Sequence, residues 1–254
     1  MSKIIELHRK AKNNVGDFYC NPSRYFEIEC LSTELVSDKY DVRNNTVIIG
    51  GGGLIHKKFS TYIEKLLQDT PKKTVLWGIG HNFGQKHGKK SKDNPYYPEW
   101  INQCTLVGIR DWIKNYEKYY LPCVSCMHPA FDKDYSEQHE FVYFVHAAKS
   151  KFKNSNYPVM KNNEMNFDKV IEFLGSGNTI ITDSYHGAYW GQLLGKNVQV
   201  ASWSVKFDHM KHQPYFLDEI NIDPTFIKNN IEGYLDECRE LNNAFYQKFI
   251  QLNV

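Results

Sequence analysis

The segment Thr182-Asp183-Ser184-Tyr185-His186-Gly187 holds the densest set of groups able to do chemistry in this chain of 254 residues. Thr182, Asp183 and Ser184 can each cap a helix, and the amide N–H groups left unpaired at a helix start attract anions. His186 would sit in the first turn of that helix. The positive end of the helix dipole disfavours imidazolium there and draws the ring's pKa toward values that suit a proton shuttle. A histidine at a helix start is also often structural, so both readings stand. A serine-hydrolase elbow needs G-x-S-x-G, and Thr182 occupies the first glycine position, which argues against acyl hydrolysis.

Further candidates recur where apolar runs give way to helical patterns. Gly50-Gly51-Gly52-Gly53 follows the run at 47–49. The run lacks the third glycine of a dinucleotide fingerprint and the lysine-serine pair of a phosphate loop, which leaves a tight turn or a cleft lined for phosphate or sugar. In Asn14-Val15-Gly16-Asp17, Asp17 is either a helix cap or an acceptor for a ligand hydroxyl at a strand end. Arg110, in Gly108-Ile109-Arg110-Asp111, is either a bidentate anion clamp or half of an Arg–Asp pair at a helix start. The stretch from Ser202 to His212 gathers Trp203, Lys206, His209, Lys211 and His212, an anion site or a solvated basic loop. Cys123-x-x-Cys126 with His128 invites zinc. No second Cys-x-x-Cys or close His-x-His completes four ligands, so the two thiols are expected to pack without metal.

The elements that must position these residues alternate. Strands are predicted at 4–7, 46–49, 74–77, 105–109, 141–145, 179–181 and 198–201, several of them continuous apolar runs of the kind buried on both faces of a parallel sheet. Helices are predicted around Phe59–Leu67, where apolar residues recur at i, i+3, i+4, i+7 and i+8, and over 165–174 and 184–194, with Gly175 and Gly195 as C-terminal caps. The class is α/β. Residues 81–98 and 149–163 read as loops, and 224–252 as one long amphipathic helix. A polar stretch over 133–140 divides an N-terminal unit (1–135) from a C-terminal one (140–225), with 226–254 expected to pack across the joint.

Composition narrows the function. A net charge of +2 removes the main argument for a nucleic-acid binder, and 41% hydrophobic with 24% charged residues fits a folded globular chain. Aromatic residues reach 15%, from extra core or from surfaces that stack sugars. No run approaches the roughly 20 apolar residues of a spanning helix, and residues 1–6 lack the apolar region of a signal peptide. The six cysteines form no disulfide-scaffold pattern, so reduced thiols and a cytoplasmic location are expected.

Taken in order, Asn14–Asp17, Gly50–Gly53, Gly78-Ile79-Gly80, Gly108–Asp111, Thr182–Gly187 with Leu193-Leu194-Gly195, and Lys206 resemble the polysaccharide pyruvyl transferase family over residues 13–210. The resemblance implies a GT-B-like fold of two Rossmann-like domains with a ligand cleft between them. It also implies transfer of pyruvate from phosphoenolpyruvate to sugar hydroxyls of a capsule or exopolysaccharide precursor, forming a pyruvate ketal. By the same resemblance His186 and Asp17 are catalytic, and Arg110, Lys206, Ser184, Gly51, Gly52 and Gly53 bind the donor. No metal or cofactor is required. The acceptor is a glycan or a lipid-linked or nucleotide-linked sugar, met in the cytoplasm or at the inner face of the membrane. Better-known members carry Arg two residues before the His, where this chain has Ser184. Serine-bearing versions also resemble the family, and with serine there anion binding shifts to Arg110, Lys206 and the amides near Ser184. Two other readings are a GT-B-type glycosyltransferase using a nucleotide-sugar and a silent sugar-binding member.

Overall fold

A computed structural model describes residues 3–10, 12–37, 40–82, 97–153, 155–221 and 231–253. The apolar runs form strands because their residues can bury on both sheet faces at once. Side chains alternate: Ile48, Val75 and Trp77 enter one cluster, and Val47, Ile49 and Leu76 enter another.

The first sheet holds β1 (Ile4–His8), β2 (Leu31–Glu34), β3 (Thr46–Ile49), β4 (Gly52–Ile55), β5 (Lys73–His81) and β6 (Leu106–Ile109). All of its pairs are parallel. β3 runs beside the first half of β5 and β4 beside the second, while β6 takes the opposite edge. The second sheet is also wholly parallel and is ordered β11-β10-β9-β7-β8, from β7 (His139–Val145), β8 (Val159–Lys161), β9 (Gly177–Thr182), β10 (Asn197–Ala201) and β11 (Tyr215–Leu217).

With β3 and β4 counted as one interrupted strand, each sheet has the order 2-1-3-4-5. A sheet wound this way opens a crevice at the carboxyl ends of its first and third strands, where ligands bind. The crevices lie beyond β1 and β3 in one sheet, and beyond β7 and β9 in the other.

Helices cover the faces. α1 (Val15–Phe18) is one turn after β1. α2 (Lys57–Gln68) buries Ile63 and Leu66 against the Leu76 face of the first sheet. α3 (Phe167–Gly175) and α4 (Tyr185–Leu193) cover the Val142 and Phe144 face of the second. α5 (Tyr234–Gln251) reaches both sheets: Tyr234 and Cys238 pack with Tyr189 and Trp190, while Phe245 and Phe249 pack on Trp77. Asn242, midway along α5, is buried and accepts a bond from Trp77 Nε1 at 3.0 Å.

Several expectations need correction. The glycine run opens β4 rather than turning directly into a helix. Gly175 is the last residue of α3 and Ser176 is its cap, whereas Gly195, at φ +67°, does end α4, with Lys196 N–H donating to Gly191 O. The expected loop at 149–163 contains β8. No α-helix follows Arg110 directly, only a 3₁₀ turn at Glu117–Tyr119. The C-terminal helix begins at Tyr234, and the part of that expectation over 222–230 lies outside the described residues, as does the expected loop between 83 and 96.

The docking of α5 yields a test. Phe245→Ala should lower unfolding stability by about 3–5 kcal/mol and shift the emission of Trp77, read by denaturant titration. An unchanged midpoint would contradict this account of α5.

Candidate functional site

A cavity of about 280 Å³ is lined by residues from both crevices. Arg9, Asn14 and Asp17 follow β1, and Gly53 opens β4. His146 and Lys149 follow β7, Ser184–His186 follow β9, and Trp203 and Lys206 follow β10. Arg110 and Asn82 come from the ends of β6 and β5. Of the residues expected to bind or react, the cavity brings together Asp17, Gly53, Arg110, Ser184, His186 and Lys206. Gly51 and Gly52 do not line it: Gly51 N–H donates to Cys20 O at 3.0 Å, and both glycines pack beside Cys20.

The turn from β9 into α4 is held from within. Thr182 Oγ1 donates to Phe144 O at 2.5 Å and accepts from Ser184 N–H at 2.9 Å. Asp183 accepts from His146 N–H at 2.7 Å, so it ties β9 to β7. Ser184 is the N-cap residue but makes no side-chain capping bond. Asp17 is not the cap of α1. Asn14 takes that place, accepting from Gly16 N–H at 3.2 Å, and its amide donates to Asp17 at 3.1 Å.

His186 is packed, as the structural reading of a histidine at a helix start allows. A Cβ on Gly16 would meet His186 Nδ1 at 2.0 Å, the Nε2 lies 3.5 Å from Cys123 Sγ, and the ring tilts against Trp190. Burial, followed by the charges of Arg110 and Lys206, holds the imidazole pKa well below its usual range, so the ring is neutral through physiological pH.

Of the two readings of Arg110, the pair with Asp111 does not form. Asp111 turns instead to His81, whose backbone N–H and Nδ1 lie 2.7 and 2.6 Å from one carboxylate oxygen. The guanidinium stacks on Tyr185 at 3.8 Å, with Nε and one terminal nitrogen lacking a hydrogen-bond partner among the described residues. Buried donors without partners, lining a cavity, suit an anionic ligand.

Lys206 is 7% exposed, and burial, helped by Arg110, lowers its pKa to about 7. Asp17 moves the other way: burial raises its pKa against the pull of Arg110 and Lys206. His146 is lowered to about 4, by burial and then by Lys206 and Lys149. Arg9, at the rim, pairs with Glu34 at 2.9 Å.

Sequence reasoning missed Arg9, Asn82, His146 and Lys149 as lining residues. Arg9, Asn82 and His146 directly follow the carboxyl end of a strand and Lys149 lies four residues beyond one, and that position was the signal. It also missed that His81, Asp111 and His209 come together, with potential metal-ligating atoms within 4.8 Å of one another. Cys123 and Cys126 are buried in the core shared with α4, which is where packing thiols belong.

No family model matches the chain, and no curated protein does. Among solved structures, an uncharacterized protein from Klebsiella pneumoniae is similar, with a TM-score of 0.51 and 16% identity over 85% of this chain and 92% of that one. At that identity the likeness concerns the fold, an α/β arrangement with parallel sheets. No helix among the described residues is long and apolar enough to cross a membrane.

Lys206 also affects stability. Its folded pKa of about 7 lies below the unfolded value of about 10.4, so the unfolded chain binds more protons between them and stability rises with pH over that window. Below the folded value the desolvation penalty is present in full. Lys206→Met should therefore raise the melting temperature most near pH ~6, with the gain shrinking as the solution becomes alkaline. A melting difference independent of pH would contradict the depressed pKa.

Proposed function

We propose that this chain transfers pyruvate from phosphoenolpyruvate to sugar hydroxyls, forming a pyruvate ketal on a surface-polysaccharide precursor, in a cleft of GT-B type between two Rossmann-like units. The observation that carries the reading is the convergence of Arg110, Lys206, Lys149 and Arg9, with Asp17 as the one carboxylate among the lining side chains. Phosphoenolpyruvate carries a phosphate and a carboxylate on a small skeleton. The cavity stands near the lower end of the about 300–1,000 Å³ usual for ligand sites. Resemblance to pyruvyl transferases supplies the reaction, and the cavity supplies what the donor needs.

In this reading Arg110 and Lys206 neutralise the donor's carboxylate and phosphate, with the amides of the first turn of α4 after Ser184 as further donors. Such groups matter most as charge moves onto the leaving phosphate. Protonation of the methylene carbon makes the central carbon electrophilic. A sugar hydroxyl then attacks, and a second displaces phosphate to close the ketal. The bound anion offsets the charges of Arg110 and Lys206 that help keep the imidazole neutral, so that His186 takes up the proton it passes to the methylene carbon, and Asp17 takes one from the acceptor hydroxyl. The raised pKa of Asp17 makes it a better base than an exposed carboxylate. The acceptor arrives as a glycan or a lipid-linked or nucleotide-linked sugar in the cytoplasm. None of these steps calls on a metal.

Two measurements test the reading. With a panel of sugar acceptors, phosphate release from phosphoenolpyruvate should be accompanied by the mass gain of a ketal. His186→Ala should lower kcat by about 10²–10⁴-fold, and also soften the fold because the ring is packed. Arg110→Ala should raise KM as well. Stabilisation by nucleotide-sugars with none by phosphoenolpyruvate would favour a glycosyltransferase. Separately, a bound anion raises the pKa of Lys206, so phosphoenolpyruvate should bind with net proton uptake near pH ~7. Calorimetry in buffers of different ionisation enthalpy reads this, and binding without proton exchange would contradict it.

A further inference from the structure

Lys206 has a property that anion binding alone does not use. Lys133, Lys169, Lys196 and Lys211 each hold a carboxylate. Lys206 is more than nine-tenths buried and lines the cavity, yet among the described residues its Nζ has neither a hydrogen-bond nor an ion-pair partner. It rests 4.1 Å from the centre of the Trp203 ring, which also takes Lys149 Nζ at 4.2 Å, and 5.4 Å from that of Phe207. The groups acting on it are mixed. Arg110 and Lys149 oppose a charge on its amine, Asp17 and Asp183 favour one, and the Trp203 and Phe207 rings favour one by cation–π attraction. His146 and His186, from the facing elements, hold neutral rings. Burial outweighs the favourable terms, and a free amine is present at neutral pH.

We propose that Lys206 is a nucleophilic amine that condenses with the carbonyl group of a small α-keto acid whose carboxylate is held by Arg110. A buried, uncompensated lysine beside other cations is the arrangement that activates amines toward carbonyl compounds. The nitrogen lone pair forms a bond to the carbonyl carbon, giving a carbinolamine. The C–O bond then breaks, both amine hydrogens depart with the oxygen as water, and a carbon–nitrogen double bond remains. Phosphoenolpyruvate has no carbonyl at that carbon and cannot react this way. The activity therefore belongs to free keto acids and does not depend on the transfer reaction.

Pyruvate with cyanoborohydride at neutral pH tests it, since hydride adds to the imine carbon and fixes the adduct. Peptide mapping should place the adduct on Lys206 with at least tenfold preference over the exposed Lys58. Labelling should rise through about pH 7, the pKa of Lys206. Phosphate at high concentration should suppress it, and Lys206→Met should abolish it. Adducts spread evenly over surface lysines, or no adduct at Lys206 in folded wild-type protein, would overturn the proposal even if the Met variant failed to fold. Either result would leave the pyruvyl-transfer reading standing, because that reading is tested separately, by phosphate release with ketal formation.

Discussion

The close approach of Gly16 to His186 fixes how near the two sheets can come. Residue 16 lies in the one-turn helix after β1, and residue 186 in the first turn after β9, so this contact joins the ends of the two crevices. No side chain fits at position 16 without moving the imidazole. His186 also lines the cavity, so this contact backs one part of its wall. α5 makes the same joint from behind, with its first turns in the second core and its last turns under Trp77.

Burial at such a joint is costly for charge, and the structure compensates unevenly. Asp111 is satisfied by His81, and Arg110 is partly offset by the Tyr185 face. Lys206 has ring faces alone, and Asp17 has Asn14. Buried charges without partners are uncommon in a structure selected only for stability, because each carries a desolvation penalty. Their collection in one cavity is what a ligand of opposite charge would relieve. The electrostatics and the proposed donor thus express one constraint: a cationic pocket whose counter-charge arrives with the substrate.

Much of the fold was legible in the sequence, for a simple reason. Central strands such as Val47-Ile48-Ile49 and Ile180-Ile181 are buried on both faces, so their residues form unbroken apolar runs. β2, β8 and β11 were not legible, because one leucine followed by three polar residues at an edge, or three residues of any kind, carry little pattern. β4 was hidden by its glycines, which argue for a turn unless a neighbouring strand is known to run beside them. The site was legible where strand ends coincide with helix starts, as at Asp17 and Ser184–His186. The packing of His186 was not, since its neighbours Gly16 and Cys123 are far away in sequence. The Asp111–His81 pairing was hidden in the same way, and with it the freedom of Arg110.

If phosphoenolpyruvate is the donor, it lies in this cavity between the two crevices, and a crystal structure of the chain saturated with it shows where it binds. Its carboxylate and phosphate should lie within hydrogen-bonding distance of Arg110 and Lys206, with the methylene carbon turned toward His186. Phosphoenolpyruvate bound elsewhere, or an empty cavity that instead admits the diphosphate of a nucleotide-sugar, would contradict the account.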